Sequence, residues 1–301
     1  MPAIPGRILR GAAAALVCGL AFASAAFGQE SHAAQDPVRS PGNADWAPNL
    51  EEARQRAAAQ KKFLFVEFGS RDCRDCVRMD NLLYRAFDFE ALLVPMVPVK
   101  LSMDSGEGEE LARKHEIRQA PAVLIKSHEG RLVVLSEGFS NPQDFYSRVR
   151  KELDTYKALA RTVEAQDVPK LPPAEALETG RELFQRGDPK AAIPRLRRVI
   201  AAQGSKPAQR DEAREILAAA ELDTGDIKSS RQTINRLIET TKDTERRERA
   251  EIFRAQIPLA ENKPEEAYAL FQKFEKDHPD SKYLSQVRAI RERLGTGIPK
   301  P

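Results

Sequence analysis

Phe63-Leu-Phe-Val-Glu-Phe-Gly-Ser-Arg-Asp-Cys73-Arg-Asp-Cys76 is an almost unbroken apolar run that leads into two cysteines separated by two residues. Phe63 to Phe68 are strand-favouring residues, Gly69 and Ser70 end the run, and Val77, Leu82 and Leu83 suit a helix beyond it. Cys73 then falls at or near a helix start. There the partial positive charge of the helix N-terminus favours thiolate over thiol and makes that sulfur the better nucleophile. A Cys-x-x-Cys pair at such a junction points to redox chemistry. A structural disulfide is a poorer use of the pair: closing so short a loop removes only about 2 kcal/mol of unfolded-state entropy, against about 4.7 for a 100-residue loop. A zinc site needs about four ligands, and no second cysteine pair exists, while His115 and His128 lack a metal-site spacing to Cys73 and Cys76. The residues alone leave staple, vestigial pair and metal as alternatives to redox chemistry.

The chain has 301 residues, enough for two domains with ordinary cores. Its 48 Lys and Arg against 45 Asp and Glu leave a net charge of +3, with the signs interspersed, so no field points to nucleic acid or an anionic membrane. Residues 1–28 read as a secretory signal peptide. Arg7 and Arg10 form its positive region, Gly11 to Phe22 is an apolar stretch too short to span a bilayer, and Ala23-Ser24-Ala25 or Ala26-Phe27-Gly28 offers small residues for cleavage. Cleavage would remove Cys18 and leave Cys73 and Cys76 as the only cysteines, with no stable membrane insertion. A lipoprotein use of Cys18 is disfavoured by Val17 before it. A single close pair without a spare thiol in an oxidising compartment suits a thiol:disulfide exchanger, and the predicted location is periplasmic or secreted.

Residues 29–44 lack periodicity and read as a disordered lead-in to a domain over residues 45–162. Asn49 is a candidate N-cap for a helix reaching Gln60. Leu92 to Leu101 predicts a second buried strand interrupted by Pro95 and Pro98. Asp104 to Gly108 reads as a loop, Glu109 to His115 as a short helix, Ala122 to Lys126 as a third strand, and Leu132 to Leu135 as a fourth after the turn His128-Glu-Gly130. Asn141-Pro142 opens a long helix with Phe145, Val149, Leu153 and Tyr156 on one face. The result is a small α/β sheet with helices on both sides. His115 and His128 are expected to face solvent, and Trp46 to serve packing.

Over about residues 45–155 the sequence resembles the thioredoxin superfamily, most of all exported thioredoxin-like domains related to the C-terminal domain of the membrane thiol:disulfide reductase. Three features in register carry the resemblance: Cys73-Arg-Asp-Cys76 after a strand, Glu67 six residues before Cys73, and Ala120-Pro121 before a strand about 45 residues on. The resemblance implies that Cys73 attacks a substrate disulfide and Cys76 displaces the product. It also implies that Glu67 is a buried acid/base, and that Pro121 is cis and, with Ala120, binds substrate as an added strand. An edge-strand charge at Glu67 and an ordinary trans turn at Pro121 are the plainer alternatives. Asp72 stands where the family usually has tryptophan, Arg74-Asp75 replace Gly-Pro, and Val77 replaces a common lysine. These departures leave the direction of electron flow open.

Residues 163–173 read as a linker, and residues 174–296 as helical repeats. Aligning Gly187-Asp-Pro-Lys-Ala-Ala192, Gly225-Asp-Ile-Lys-Ser-Ser230 and Asn262-Lys-Pro-Glu-Glu-Ala267 gives steps of 38 and 37 residues, each turn flanked by amphipathic helices. Tyr283 to Leu294 would cap the stack. The pattern resembles tetratricopeptide repeats, with Pro194, Ser230 and Asn262 as departures, and implies a surface that binds another protein, or a spacer or dimerisation module. Arg195, Arg197 and Arg198 read as a solvated face. The expected function is therefore an exported thiol:disulfide oxidoreductase acting on protein disulfides with a thiol:disulfide electron donor or acceptor. Its alternative is a non-catalytic adaptor with a vestigial thioredoxin-like domain. No organic cofactor or metal is implied.

Overall fold

The computed structural model describes residues 45–84 and 87–295, so the signal-peptide and lead-in readings lie outside the described residues. The chain divides between Ala165 and Gln166 into two compact units.

In the first unit, helix α1 (Leu50–Gln60) is capped by Asn49, whose side chain accepts from the Glu52 amide, and Lys61 ends it in a left-handed conformation. Strand β1 (Phe63–Gly69) leads to helix α2 (Arg74–Leu82), and helix α3 (Phe87–Leu93) leads to strand β2 (Met96–Ser102). Helix α4 (Gly106–Lys114), strands β3 (Ala122–Lys126) and β4 (Leu132–Glu137), and helix α5 (Pro142–Ala165) complete the unit. The sheet order is β2-β1-β3-β4, with β1 parallel to β2 and antiparallel to β3, and β3 antiparallel to β4. Alternation along β1 divides its side chains between two cores. Leu64, Val66 and Phe68 join α1, α4 and Ile117 on one face. Phe65 joins Met79, Leu83, Tyr84, Phe89, Phe145, Val149 and Leu153 on the other. Helices thus cover both faces of a mixed four-stranded sheet.

Several sequence boundaries shift. Leu92 and Leu93 belong to α3 rather than to the second strand, because Phe89, Leu92 and Leu93 recur at helical spacing and are all buried, and pairing begins only at Met96 opposite Phe63. Pro98 is tolerated within β2 because its carbonyl accepts from Ala47 on the outer edge. The nitrogen and carbonyl of one strand residue point the same way, so the missing donor faces away from β1. The stretch expected as a loop through Gly108 is already helical, with α4 starting at Gly106. The long helix runs to Ala165, past the expected linker start at residue 163, and a single 3-10 turn follows at Val168–Lys170.

The second unit is all helical among the described residues. Its helices are α6 (Pro173–Gln185), α7 (Pro189–Ala201), α8 (Pro207–Asp223), α9 (Ile227–Thr240), α10 (Thr244–Ala260), α11 (Pro264–Asp277) and α12 (Leu284–Gly295). Three hairpin turns share one chemistry. Gly187, Gly225 and Asn262 have positive φ of 80°, 82° and 57°. The next amide donates back five residues in each case, from Asp188 to Leu183, Asp226 to Glu221 and Lys263 to Pro258. This is the Schellman closure of a helix end, and asparagine is the side chain that best substitutes for glycine there. Asp188 and Asp226 also cap the following helix by accepting from Ala191 and Ser229.

Arg195 departs from the expected solvated face. It is 5% exposed, and its guanidinium donates to Gln166 Oε1 and the Ala191 carbonyl, bonds that compensate for burying the charge. Arg197 does lie outward and pairs with Glu221 at 2.8 Å.

A Cβ at Gly108 would stand 2.0 Å from the Ser102 carbonyl oxygen, so α4 can rest on the end of β2 only with glycine there. Gly108→Ala is therefore expected to destabilise by about 1–3 kcal/mol despite the better helix propensity of alanine. Thermal midpoints by circular dichroism check this against Gly204→Ala, where nothing lies within 4 Å.

Candidate redox site

The turn that delivers Cys73 is tied at both ends. The Gly69 carbonyl accepts from Met103, and the Arg71 amide donates to Asp104 Oδ2 at 2.7 Å. Asp72 takes a left-handed φ of 54°, which a short polar side chain tolerates better than a bulky one. Cys73 is the N-cap of α2, and its Sγ accepts from the Cys76 amide at 3.1 Å. The two cysteines are joined by a disulfide with Sγ–Sγ 2.05 Å. Cys73 is partly exposed and Cys76 is buried, so one sulfur meets solvent and the other faces the interior. Val77, next to Cys76 in sequence, is 59% exposed, and the Arg78 guanidinium stands 4.2 Å from the Phe139 ring centroid.

Pro121 is buried, follows a cis peptide bond from Ala120, and its carbonyl accepts from the Gly138 amide. Because Phe68 opposes Ala122 across antiparallel strands, Pro121 sits at the same end of the sheet from which the Cys73 turn emerges.

Glu67 lies on β1, flanked by β2 and β3, and is 0% exposed, which removes the edge-strand alternative. Alternation places it on the face of Phe63 and Phe65, the face covered by α2. Lys100, directly opposite on β2, brings its Nζ to 3.2 Å from Glu67 Oε1 and 2.8 Å from Asp80 Oδ1. Asp80 stands four residues after Cys76, on the same side of α2. Lys100 hydrogen-bonds Asp80, while its contact with buried Glu67 is the longer and less well aligned of the two. Burial pushes the Glu67 carboxyl up from 4.5 to about 7, with Lys100 opposing the rise and Asp80 adding to it. Burial, and next the charge of Glu67, hold the Tyr84 hydroxyl well above its ordinary value. Trp46 packs among Phe65, Tyr84 and Phe89, with ring centroids 6.1–6.4 Å away. His128 is at the surface, whereas His115 is partly buried against the expectation of a solvent-facing ring, because it closes α4 where the chain turns inward to buried Ile117.

Lys100 and Asp80 were not among the residues singled out by the sequence. A lone charge inside the apolar Met96-Val-Pro-Val-Lys-Leu101 strand was the available signal for the lysine. Asp80 carried none, since an acid on a helix is ordinarily solvated.

A family model described as thioredoxin-like matches residues 45–126, the stretch from the chain before α1 through β3. A solution structure of a thioredoxin from Thermus thermophilus is 26% identical, covering 36% of this chain and 85% of its own, with a TM-score of 0.33. A structure described as DsbH oxidoreductase is 16% identical, covering 42% of this chain and 95% of its own, with a TM-score of 0.33. No curated protein matches the chain. The first unit is thioredoxin-like in family model and fold, and its close Cys73–Cys76 pair supports a role of the thiol-disulfide oxidoreductase type.

Glu67 also predicts a stability profile. An unfolded chain releases this proton near 4.5 and the folded chain near 7, so between those values the folded state holds a proton that the unfolded state has lost. Stability contributed by Glu67 is present in full below 4.5 and falls as pH rises through 7, by on the order of 3 kcal/mol. Glu67→Gln is expected to flatten that fall, gaining on wild type between about pH 5 and about pH 8. Denaturant midpoints at the two pH values check this, and a gap that does not change with pH would contradict it.

Proposed function

We propose that this chain is an exported thiol:disulfide oxidoreductase that reduces or exchanges disulfides in other proteins. The observation that carries the reading is a cysteine pair at a helix N-terminus, one sulfur outward and one inward, on the helix that covers a buried carboxyl of near-neutral pKa. The reduced pair begins the reaction. The Cys73 thiolate attacks a substrate disulfide, the substrate S–S bond breaks, and a mixed disulfide forms as one substrate thiolate leaves. Cys76 gives its proton to the Glu67 carboxylate and attacks Cys73 Sγ. The second substrate sulfur leaves with the electrons, and Glu67 returns the proton by way of solvent. Two electrons pass from the pair to the substrate, and a dithiol donor must restore them.

Cys73 at an N-cap supports its role as attacking residue, and Cys76 in the interior supports its role as resolving residue. Ala120 and Pro121, at the same sheet end, are the proposed docking edge for an extended substrate segment. The helical unit, with its repeated turn chemistry, is read as a tetratricopeptide-like module that binds a partner protein. The signal-peptide pattern of residues 1–28 favours action in the periplasm or outside the cell.

Cys73→Ser is expected to abolish reduction of a model protein disulfide, a loss to the uncatalysed rate. Cys76→Ser should accumulate a mixed disulfide through Cys73, visible by mass spectrometry. Unchanged exchange in Cys73→Ser would overturn the reading.

A further inference from the structure

The buried charges beneath α2 carry one inference further, resting on the exchange function proposed above. A lysine ammonium has three donors, and a wholly buried carboxylate beside it would ordinarily take at least one of them. Here the shorter, better-directed bond goes to Asp80 at 2.8 Å, and Glu67, at 3.2 Å, keeps only the longer ion pair. The competition is unequal. Asp80, with a side chain 32% exposed, and the fully enclosed Glu67 share one cation, so the bond that Lys100 gives Asp80 is one it withholds from Glu67. Asp80 is mounted on the helix that carries both cysteines, four residues beyond Cys76, so the grip on Lys100 is set by the same element that positions the sulfurs.

We propose that Asp80 is a positioning residue for disulfide exchange: by sharing the Lys100 ammonium it keeps that cation from pairing fully with Glu67, and so leaves Glu67 able to take and return a proton. The groups facing Glu67 are few. Lys100 comes from β2, Asp80 from α2, and Tyr84 from the residues just after α2; β3 places Val123 opposite, which carries no charge. Both consequences of losing Asp80 have the same sign. An anion that opposes ionisation of Glu67 disappears, and a cation that favours it becomes free to bond.

The test is a titration of the Glu67 carboxyl in the full, oxidised chain, by carbon NMR with labelled glutamate, so that no thiol titrates in this pair. In wild type the midpoint is expected at about 7. In Asp80→Asn it should fall by about one pH unit, and in Asp80→Glu it should return toward the wild-type value. The acid limb of the exchange rate against pH, measured on the reduced chain, should move the same way in Asp80→Asn. Lys100→Gln should raise the midpoint, and Asp80→Ser, expected to lower it as Asp80→Asn does, serves if Asp80→Asn does not fold. A Glu67 midpoint unmoved in Asp80→Asn, or lowered in Lys100→Gln, overturns the inference. If the wild-type chain exchanges disulfides while Asp80→Asn leaves the midpoint alone, only the role of Asp80 falls. If the wild-type chain performs no exchange, the proposed function falls and the role of Asp80 in it falls too.

Discussion

A carboxyl group fully enclosed at the centre of a sheet is the constraint on which the first unit depends. Burying an isolated carboxylate is costly enough that such a group either keeps its proton or acquires a cation. Glu67 stands between these outcomes. Its neighbour Lys100 is supplied by the parallel register that places the two opposite each other, and α2 covers the pair from above. The same helix must begin where the chain leaves β1, and its N-cap is Cys73. One arrangement therefore sets the sulfur geometry and the proton affinity beneath it. A protein optimised for stability alone would place an apolar residue at position 67. Under the proposed function, the retained charge receives the proton that the inward cysteine must lose when it attacks.

The helical unit rests on a different and more local device. Each hairpin needs a residue in the left-handed region so that the amide after it can close the preceding helix, and glycine or asparagine meets that need. The recurrence of this turn at nearly constant spacing, with aspartate caps after two of the three, is what makes the second unit repetitive. In the third turn Lys263 provides no side-chain cap, and Pro264 at the first helical position removes one amide that would need an acceptor.

Much of this was legible in the residues because the signals are local. The strand from Phe63, the helix start at Cys73, the hairpin strands and the repeated turns each follow from propensity and short-range pattern. What the residues could not show depends on pairing between distant segments. Whether Glu67 was central or on an edge was decided by strand order, and Lys100 became its partner only through the β1–β2 register. Leu92 and Leu93 looked like strand because a buried helical turn abuts an apolar strand across Val94-Pro95. Arg195 looked solvated because its acceptors are Gln166, in the segment before α6, and a carbonyl of its own helix.

The central claim is that the Cys73–Cys76 disulfide is a working redox couple. Its most direct test is the equilibrium reduction potential of the pair, measured by titration against glutathione with thiol trapping. The account predicts a reversible two-electron couple between about −270 mV and about −120 mV, in which a tenfold change in the oxidised-to-reduced ratio takes about 30 mV. A pair that cannot be cycled across that range would contradict the claim and leave the disulfide as a structural link.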